Sequence, residues 1–462
     1  MTNQTMQRIR MAGLAALVAA AAGCGGLFNV ESPGKILDTD LNNPVAVPGL
    51  VTGMSNRLSN SMGYIGGNMV TYSALVSGEF FHGGSYAWDE DPEGYTDPND
   101  GYLGGAWGAA QVARWVAEDG LRRMYTDSVL GPAAYAKNPY VARGYLLAAL
   151  ANRTLGETFC SAVFDSLIKT PDGRDSAVST GAEPSHLYFD HGIDQADSAI
   201  IVGVAASTQA SSYVTAAYGV RASLKAWEGD WTGAAADAQN VPATFVYNAA
   251  FLLPEPDNTV WFETHTRNEY TIYSTFMSSD SMAALEDMDG PAWSSTHLND
   301  PRAKWTPLKN ANGSQRVGQN GYTPAYQQNK YDVQTASIPM VKGTEMLVLR
   351  AEAALRQPTP DTAAAYALMN QARAVYGLGA LATAPDLATA WKDLHYERAV
   401  TVWLEGRHLW DASRWYNDTG PSHSDAMAGR DQCLPVSLSE INSNTSLTGY
   451  RGSLTHPLLH QE

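Results

Sequence analysis

The strongest hydrophobic pattern of the chain lies between His395 and Trp415, in the stretch HYERAVTVWLEGRHLWDASRW. At helical spacing its apolar side chains form a face wider than a surface helix requires, centred on Tyr396, Val400, Trp403 and Trp410. The pattern therefore predicts one largely buried helix over residues 395–415. Arg407 falls on the same face, and a buried guanidinium needs a carboxylate partner, for which Glu397, Glu405 and Asp411 are the nearby candidates. We interpret these charges as core ion pairs rather than an active site, because no nucleophile or metal-ligand set accompanies them.

Helical periodicity recurs along most of the chain in helices that follow one another across short turns. The predicted helices cover residues 44–58, 69–81, 107–125, 139–155, 186–206, 212–227, 232–240, 343–357 and 361–376. The tight turn Trp227–Trp231, flanked by alanines, resembles a tetratricopeptide hairpin, in which small residues let paired helices approach closely. A strict period of about 34 residues is absent. The sequence therefore predicts a mostly α protein with divergent helical repeats.

Two segments interrupt the helical pattern. Residues 82–105 mix glycines and aromatic residues with acids, and residues 243–340 are rich in Pro, Asn, Gly and aromatic residues. In the second segment, residues 259–262 and 270–276 are predicted strands. A calcium site is one interpretation of the acids in the first segment, but their spacing does not match an EF-hand, which favours a solvated acidic loop. Long irregular segments of this kind often carry function.

The chain of 462 residues has a formal net charge of -17, which excludes the clustered basic surface of a nucleic-acid-binding protein. Residues 1–23 have the features of an export signal: two arginines precede an apolar run that is too short to span a bilayer. The run ends in Ala21-Ala22-Gly23-Cys24, which resembles the lipobox of bacterial lipoproteins. That resemblance implies cleavage before Cys24 and its acylation; an ordinary secretory signal with a nearby cysteine is the alternative.

After Cys24, the remaining cysteines are Cys160 and Cys433. In an exported protein such a pair favours a disulfide over two free buried thiols. Neither lies at the Cys/His spacing of a structural zinc site, so no metal site is expected from them.

A specific set of motifs resembles the SusD/RagB family of outer-membrane nutrient-uptake lipoproteins. The set comprises the lipobox, the Asn43-Pro44 helix start, the stretch Ile338–Met346, Leu349–Leu355, Met369–Arg373, the ER-x6-EG-R-x3-D-x2-RW helix and Leu434-Pro435-Val436 with Glu440-Ile441. The resemblance is strongest over residues 338–440 and covers nearly all of a single domain, 24–462. It implies a right-handed superhelix of about four tetratricopeptide-like hairpins with a loop-rich face and a few short strands.

The resemblance also implies a lipid-anchored, surface-exposed protein of the outer membrane. Such a protein captures glycans or peptides and delivers them to a SusC-like, TonB-dependent barrel, without catalysis and without a cofactor. Aromatic rings can stack on sugar faces, so the candidate ligand contacts are the aromatic residues of the irregular segments: Trp88, Tyr95, Trp261, Trp293, Tyr322 and Tyr326. For each of them, packing within the core or a loop is an equally good interpretation.

Two other functions stay open from the sequence. A glycan hydrolase would need two carboxylates, drawn from Asp89, Glu263 and Asp287. A helical-repeat adaptor would bind no small ligand at all. The abundance of acids in the chain makes chance carboxylate pairs common, so a non-catalytic binding protein is the preferred interpretation.

Overall fold

The computed structural model describes residues 38–64, 67–85, 94–97, 101–169, 175–252, 257–272, 300–384, 386–450 and 452. The chain divides into two units, Met1–Asn42 and Asn43–Glu462. In the first, the described part contains a 3-10 turn, Asp38–Leu41. The predicted export signal and Cys24 lie outside the described residues.

The second unit is mostly helical, which confirms the predicted fold class. Its α-helices are α1 Val47–Gly63, α2 Met69–Ser77, α3 Gly101–Tyr125, α4 Gly131–Tyr135, α5 Pro139–Thr158, α6 Leu187–Ala205, α7 Ser211–Trp227, α8 Trp231–Ala238, α9 Thr259–Trp261, α10 Gly343–Leu355, α11 Thr362–Val375, α12 Leu387–Thr401, α13 His408–Asn417 and α14 Leu438–Ser443. A π-helical turn, Phe262–Arg267, follows α9 directly. Among the described helices, none combines the length and the apolar character needed to cross a membrane.

In the part of the chain that the structure describes, the strands are short and pair antiparallel in five two-stranded ribbons. They are β1 Phe80–His82, β2 Ser161–Ala162, β3 Asp165–Lys169, β4 Asp175–Ser179, β5 Glu183–Pro184, β6 Val246–Ala249, β7 Tyr270–Ile272, β8 Trp305–Pro307, β9 Tyr326–Gln328 and β10 Ile338–Lys342. The pairs are β1 with β7, β2 with β5, β3 with β4, β6 with β10, and β8 with β9.

The helices pack side by side in chain order from α5 to α8, and α10 continues the row against α8 and α11. Glycines at the contacts allow close approach: a Cβ on Gly156 of α5 would clash with the Phe189 ring of α6, and one on Gly203 would clash with Val214 of α7. The predicted helical hairpins are confirmed, with two corrections to the predicted bounds. The helix α3 begins at Gly101, inside the segment 82–105 predicted as a loop, and the helix predicted over residues 69–81 ends at Ser77, after which Phe80 and Phe81 belong to β1. Asn43 caps the first helical segment, as its Asn-Pro signature suggests, by accepting a hydrogen bond from Val45 N at 2.9 Å.

The single helix predicted over residues 395–415 is wrong. The chain forms α12 and α13 instead, separated by a turn in which Leu404 and Gly406 have positive φ angles of 54° and 72°. Gly406 adopts this left-handed conformation without a Cβ penalty, whereas Leu404 needs support from its surroundings. The last turns of α12 and most of α13 are buried, so the apolar pattern continues across the break and hides it. We call residues 402–407 the interhelical turn.

Other segments fix the interhelical turn through its backbone groups. Tyr331 Oη donates to Leu404 O at 2.7 Å, and Glu79 Oε1 accepts from Leu404 N at 2.9 Å. Lys330 and Lys342 donate to the carbonyl oxygens of Trp403 and Thr401 and converge on Glu405, at 2.6 and 2.5 Å. Cations at the carboxyl end of α12 also complement its dipole.

Arg407 is buried, as predicted, but its partners are not Glu397, Glu405 or Asp411. It bridges two other helices: its guanidinium contacts Glu157 of α5 at 2.6 Å and Glu345 of α10 at 2.9 Å. Burial by itself raises the pKa of Glu345, but Arg407 and the other nearby cations outweigh it and lower the pKa to about 2.

A disulfide joins Cys160, just after α5, to Cys433, just before α14, with an S–S distance of 2.04 Å. Leu434 O accepts from Cys160 N at 2.9 Å beside the bridge. The cross-link spans 273 residues of sequence and ties the carboxyl-terminal segment to the helical core.

Candidate functional site

The two irregular segments meet on one face of the protein. β1, from the end of α2, pairs with β7, and Gly83 N donates to Glu269 O at 2.6 Å. Asn320 N in turn donates to Gly83 O at 3.0 Å. These bonds connect the beginning of segment 82–105 to two described parts of the insert, residues 257–272 and 300–340. We call residues 80–85, 262–272 and 303–331 the loop face.

A long hairpin forms the outer part of the loop face. Its base is the β8–β9 ribbon, in which Trp305 lies opposite Gln328 and Pro307 opposite Tyr326. Beyond the base, bridges between Lys309 and Gln315 and between Val317 and Pro324 continue the pairing. The hairpin is therefore an ordered structure, although the sequence shows little strand periodicity there.

Amide side chains rather than a core hold the tip of this hairpin. Asn320 Oδ1 accepts from Tyr322 N at 3.2 Å and Thr323 N at 3.1 Å, and its Nδ2 donates to Thr323 Oγ1 at 2.7 Å. Gln319 Nε2 donates to Arg267 O at 2.5 Å, which ties the tip to the π-helical turn. Our reasoning from sequence missed Gln319 and Asn320; the Asn320-Gly321 pair was the available turn signal.

The aromatic residues proposed as ligand contacts differ in how far they are exposed to solvent. Tyr322 and Tyr95 are open to solvent, with 75% and 54% of their surface exposed. Trp261 is half-buried and stacks on His265, with 5.9 Å between ring centres. Trp88 and Trp293 lie outside the described residues.

Tyr326 departs from the expectation. Its side chain is only 7% exposed, and its ring packs edge-on against Trp305 with 5.6 Å between centres. Because β9 faces the core at this position, the structure does not offer Tyr326 as a stacking surface. The segment 259–262, predicted as a strand, is instead the helix α9 leading into the π-helical turn.

Tyr95 is held in place from both sides although its ring is free. Asp431 N donates to Gly94 O at 2.7 Å, and Thr96 N donates to Asp431 Oδ2 at 2.7 Å. Arg430 reaches further, donating to Val76 O at 2.9 Å. An exposed ring on a fixed backbone loses little entropy when it contacts a ligand.

A narrow cleft lies among the π-helical turn, β7 and the outer hairpin of the loop face. Its lining includes Gly83, Thr264, Asn268, Thr271, Gly318, Thr323 and Gln327. It is too tight to admit a water molecule, so it cannot hold a sugar ring or a peptide side chain. The accessible features of the described loop face are therefore its exposed side chains rather than this cleft.

Beneath the loop face lies a buried pair of carboxyl groups, Glu263 and Glu269, with Arg267 between them. Arg267 bonds Glu269 and approaches Glu263 at 3.6 Å. Burial, and next the hydrogen bond with Glu269, raise the pKa of Glu263 to about 9, so the Glu263 carboxyl group is protonated at neutral pH. Burial also lowers the pKa of nearby His82 to about 4, so this imidazole is neutral.

This arrangement bears on the hydrolase interpretation. Glu263 is buried and its carboxyl group contacts Arg267, so it is not accessible to a substrate. Asp89 and Asp287, the other two carboxylates considered, lie outside the described residues. Within the described ranges, no group of three or more His, Cys, Asp or Glu side chains is placed to hold a metal ion. Most acids considered for calcium in segment 82–105 fall in undescribed ranges.

Comparisons with known proteins agree with the architecture. Residues 257–434 match the family model of the SusD family. No curated protein matches the chain.

Solved structures share the fold at low sequence identity. A SusD superfamily protein from Bacteroides vulgatus is 13% identical with a TM-score of 0.61, covering 87% of this chain and 97% of the other. A SusD homolog from Bacteroides thetaiotaomicron is 14% identical with a TM-score of 0.60, covering 88% and 97%. A laminarin-binding SusD-like protein is 15% identical with a TM-score of 0.55, covering 87% and 98%. The predicted resemblance to the SusD/RagB family is confirmed.

Proposed function

We propose that this chain, with its SusD/RagB architecture, is a surface-exposed binding lipoprotein of nutrient uptake. It captures glycans or oligopeptides on the loop face and delivers them to a SusC-like, TonB-dependent transporter of the outer membrane. Acylation of Cys24 provides the membrane anchor. The family match and the laminarin-binding relative support a carbohydrate ligand over a peptide.

The observation that carries this proposal is that the start of segment 82–105 and the described insert form one face with a solvent-exposed tyrosine ring, that of Tyr322. Tyr322 lies at a turn fixed by Asn320, beside further amide side chains such as Gln319. An exposed aromatic plane can stack on the C–H face of a sugar, while neighbouring amides hydrogen-bond its hydroxyl groups. A shallow surface of this kind suits polymers, which do not fit into a closed pocket.

The hydrolase alternative receives less support, because Glu263 is buried and bonded beneath the surface. The adaptor alternative does not account for the exposed Tyr322 and Tyr95 rings on a fixed backbone. Sustained turnover of a glycan by the purified chain would favour the hydrolase alternative. Failure to bind any glycan or peptide would favour the adaptor alternative.

Ligand binding is tested with the purified mature protein on a glycan and peptide array, followed by calorimetry on the best ligand. Replacing Tyr322 with alanine should weaken binding by about 1 kcal/mol, roughly fivefold, because one stacking plane is lost. Tyr125→Ala is the matched control: this residue is also exposed, at 54% against 75% for Tyr322, but it lies at the end of α3. Equal effects of the two changes would contradict a ligand site on the loop face.

Anchoring and delivery need a separate experiment in the source cells. Wild-type protein should partition into detergent with the outer membrane and recover a barrel protein on affinity purification, whereas Cys24→Ser should be released into the aqueous phase. An unacylated Cys24, or purification without any barrel, would overturn the transport part of the proposal and leave ligand binding untouched.

A further inference from the structure

The outer hairpin of the loop face has a charge opposite to that of the rest of the protein. The chain contains 47 Asp and Glu residues and has a net charge of -17, yet residues 301–331 contain no acid and five Lys or Arg residues. We call residues 304–329 the cationic hairpin. It is also rich in Asn, Gln and aromatic residues.

Two of the five cations flank the hairpin and have structural partners. Arg302 is buried between Asp300 and Glu397, at 2.8 and 2.5 Å. Lys330 bonds Glu405 at 2.6 Å. These two cations hold the hairpin to the helices and have no capacity left for a ligand.

The other three cations, Lys304, Lys309 and Arg316, are exposed. None of them forms an ion pair with a carboxylate of the described residues; the side-chain partner seen for Lys309 is the neutral Gln315, at 3.1 Å. Because no carboxylate of the described residues pairs with these exposed charges, an incoming anion can bind them without breaking an ion pair of the described structure.

The backbone of the hairpin places two of these cations at neighbouring positions, with their side chains on opposite faces of the ribbon. Lys309 pairs with Gln315, the residue that precedes Arg316. Arg316 is held on both sides, because its N–H donates to Leu308 O and its carbonyl accepts from Ala325 N, each at 2.9 Å. The backbone position of Arg316 is therefore set before any ligand binds.

The same strand leads directly to the exposed ring. Gly318 N donates to Thr323 O at 2.8 Å, which closes the turn that carries Tyr322. Arg316 lies two residues before this turn, and the Tyr322 ring lies within it. The cation and the stacking plane are therefore on one short, ordered segment.

We propose that the cationic hairpin selects anionic glycans, chains whose sugars carry carboxylate or sulfate groups; this rests on the function proposed above. Arg316 can donate two parallel hydrogen bonds to either anion, and Lys309 adds a point charge. Tyr322 stacks on a sugar ring, and the amides bond hydroxyl groups. A polymer repeats its charged groups, so weak single contacts combine along one chain.

The test measures affinity for pairs of polymers that differ in charge alone. Comparing the affinities for polygalacturonate and its methyl ester tests recognition of carboxylate groups, and comparing those for dextran sulfate and dextran tests recognition of sulfate groups. An array of further neutral and acidic glycans covers other sugar backbones. The wild-type protein should prefer the charged member of at least one pair. The double variant Lys309→Gln/Arg316→Gln should lose that preference, with roughly a three- to fivefold loss for each cation.

Lys137→Gln is the control, because it removes an exposed positive charge next to α4, on the helical part of the protein. An equal loss in this variant would show that net charge rather than the hairpin decides binding, and would overturn the inference. Binding confined to neutral glycans would overturn the inference while the proposed function stands. Binding of acidic peptides without glycans would also overturn it, and binding of nothing on the array would refute both.

Discussion

Arg407 offers the most direct test of how the helical core is held together. It lies at the end of the interhelical turn and bonds Glu157 of α5 and Glu345 of α10, so one side chain connects three parts of the core. Arg407→Ala removes the cation and leaves two carboxylates that remain buried. Glu345 keeps Arg398 at 3.1 Å, and Glu157 keeps the Trp227 indole at 2.7 Å, so neither is stripped of all partners.

The cost of this change can be worked from two directions. Breaking a buried ion pair by removing one partner typically costs about 3 to 5 kcal/mol. Independently, the pKa of Glu345 lies at about 2, below its ordinary value of 4.5, which corresponds to about 3 kcal/mol of stability. That contribution is present above the ordinary pKa and is lost as the pH falls through the folded value. Arg407 provides a large part of it, so we expect Arg407→Ala to lower the free energy of unfolding by about 3 kcal/mol at pH 7.

Urea denaturation followed by tryptophan fluorescence measures this difference. The penalty should shrink as the pH falls towards 4, because the stranded carboxyl groups of the variant can then take up protons. Arg122→Ala is the control: this arginine is exposed and pairs with Asp119 on α3, so its loss should cost less than about 1 kcal/mol. A free energy of unfolding for Arg407→Ala within 1 kcal/mol of wild type would refute the bridging role.

Three further changes test other parts of the structure by the same measurement. Wild-type stability should fall as the pH rises from the ordinary glutamate pKa of 4.5 to the raised pKa of Glu263, about 9. Glu263→Gln, which imitates the protonated acid, should therefore be more stable than wild type by at least about 2 kcal/mol near pH 10, and parallel pH profiles of the two proteins would contradict the protonation of Glu263. Replacing Cys160 and Cys433 together by alanine should cost about 3 to 5 kcal/mol, because the bridge closes a loop of 273 residues, and unchanged stability would contradict a cross-link in the folded protein. Gly406→Ala should cost about 1 to 2 kcal/mol, because φ is 72° there although space for a Cβ exists, and a neutral result would contradict the left-handed turn.

The helical scaffold could be predicted because its determinants are local. Asp361 caps α11 and Asn43 caps the first helical segment at the positions their sequences indicate. The apolar periodicity of each helix then places its buried face. These features need no knowledge of distant residues.

The break between α12 and α13 could not be read in the same way. Gly406 was a visible stop signal, but the apolar pattern crosses it without change of phase. The groups that stabilise the turn, such as Lys330, Tyr331 and Glu79, come from segments distant in sequence. The partners of Arg407 were missed for the same reason, since Glu157 lies 250 residues away.

The loop face was predictable in location and composition but not in detail. Glycine, asparagine and aromatic content identified the two segments, yet composition does not tell which rings face solvent. Tyr322 and Tyr326 are four residues apart in the same hairpin, and one is exposed while the other is buried. Their difference depends on the register of β8 and β9, which the weak alternation of these strands does not specify.

The interhelical turn links the cationic hairpin to the helical core. Lys330 and Tyr331, at the base of the cationic hairpin, bond the backbone of Trp403 and Leu404, so the hairpin is attached to the most buried part of the helical core. Burial lowers the pKa of Lys330 to about 8, yet its contact with Glu405 and the turn carbonyls keeps the ammonium bonded. Gln319 and Asn320 tie the tip of the hairpin to the π-helical turn and to Gly83, whereas the described structure shows no bond from residues 309–316 to the helices. The charges at Lys309 and Arg316 can therefore change, and ligand preference with them, while the base of the hairpin and the interhelical turn retain the fold.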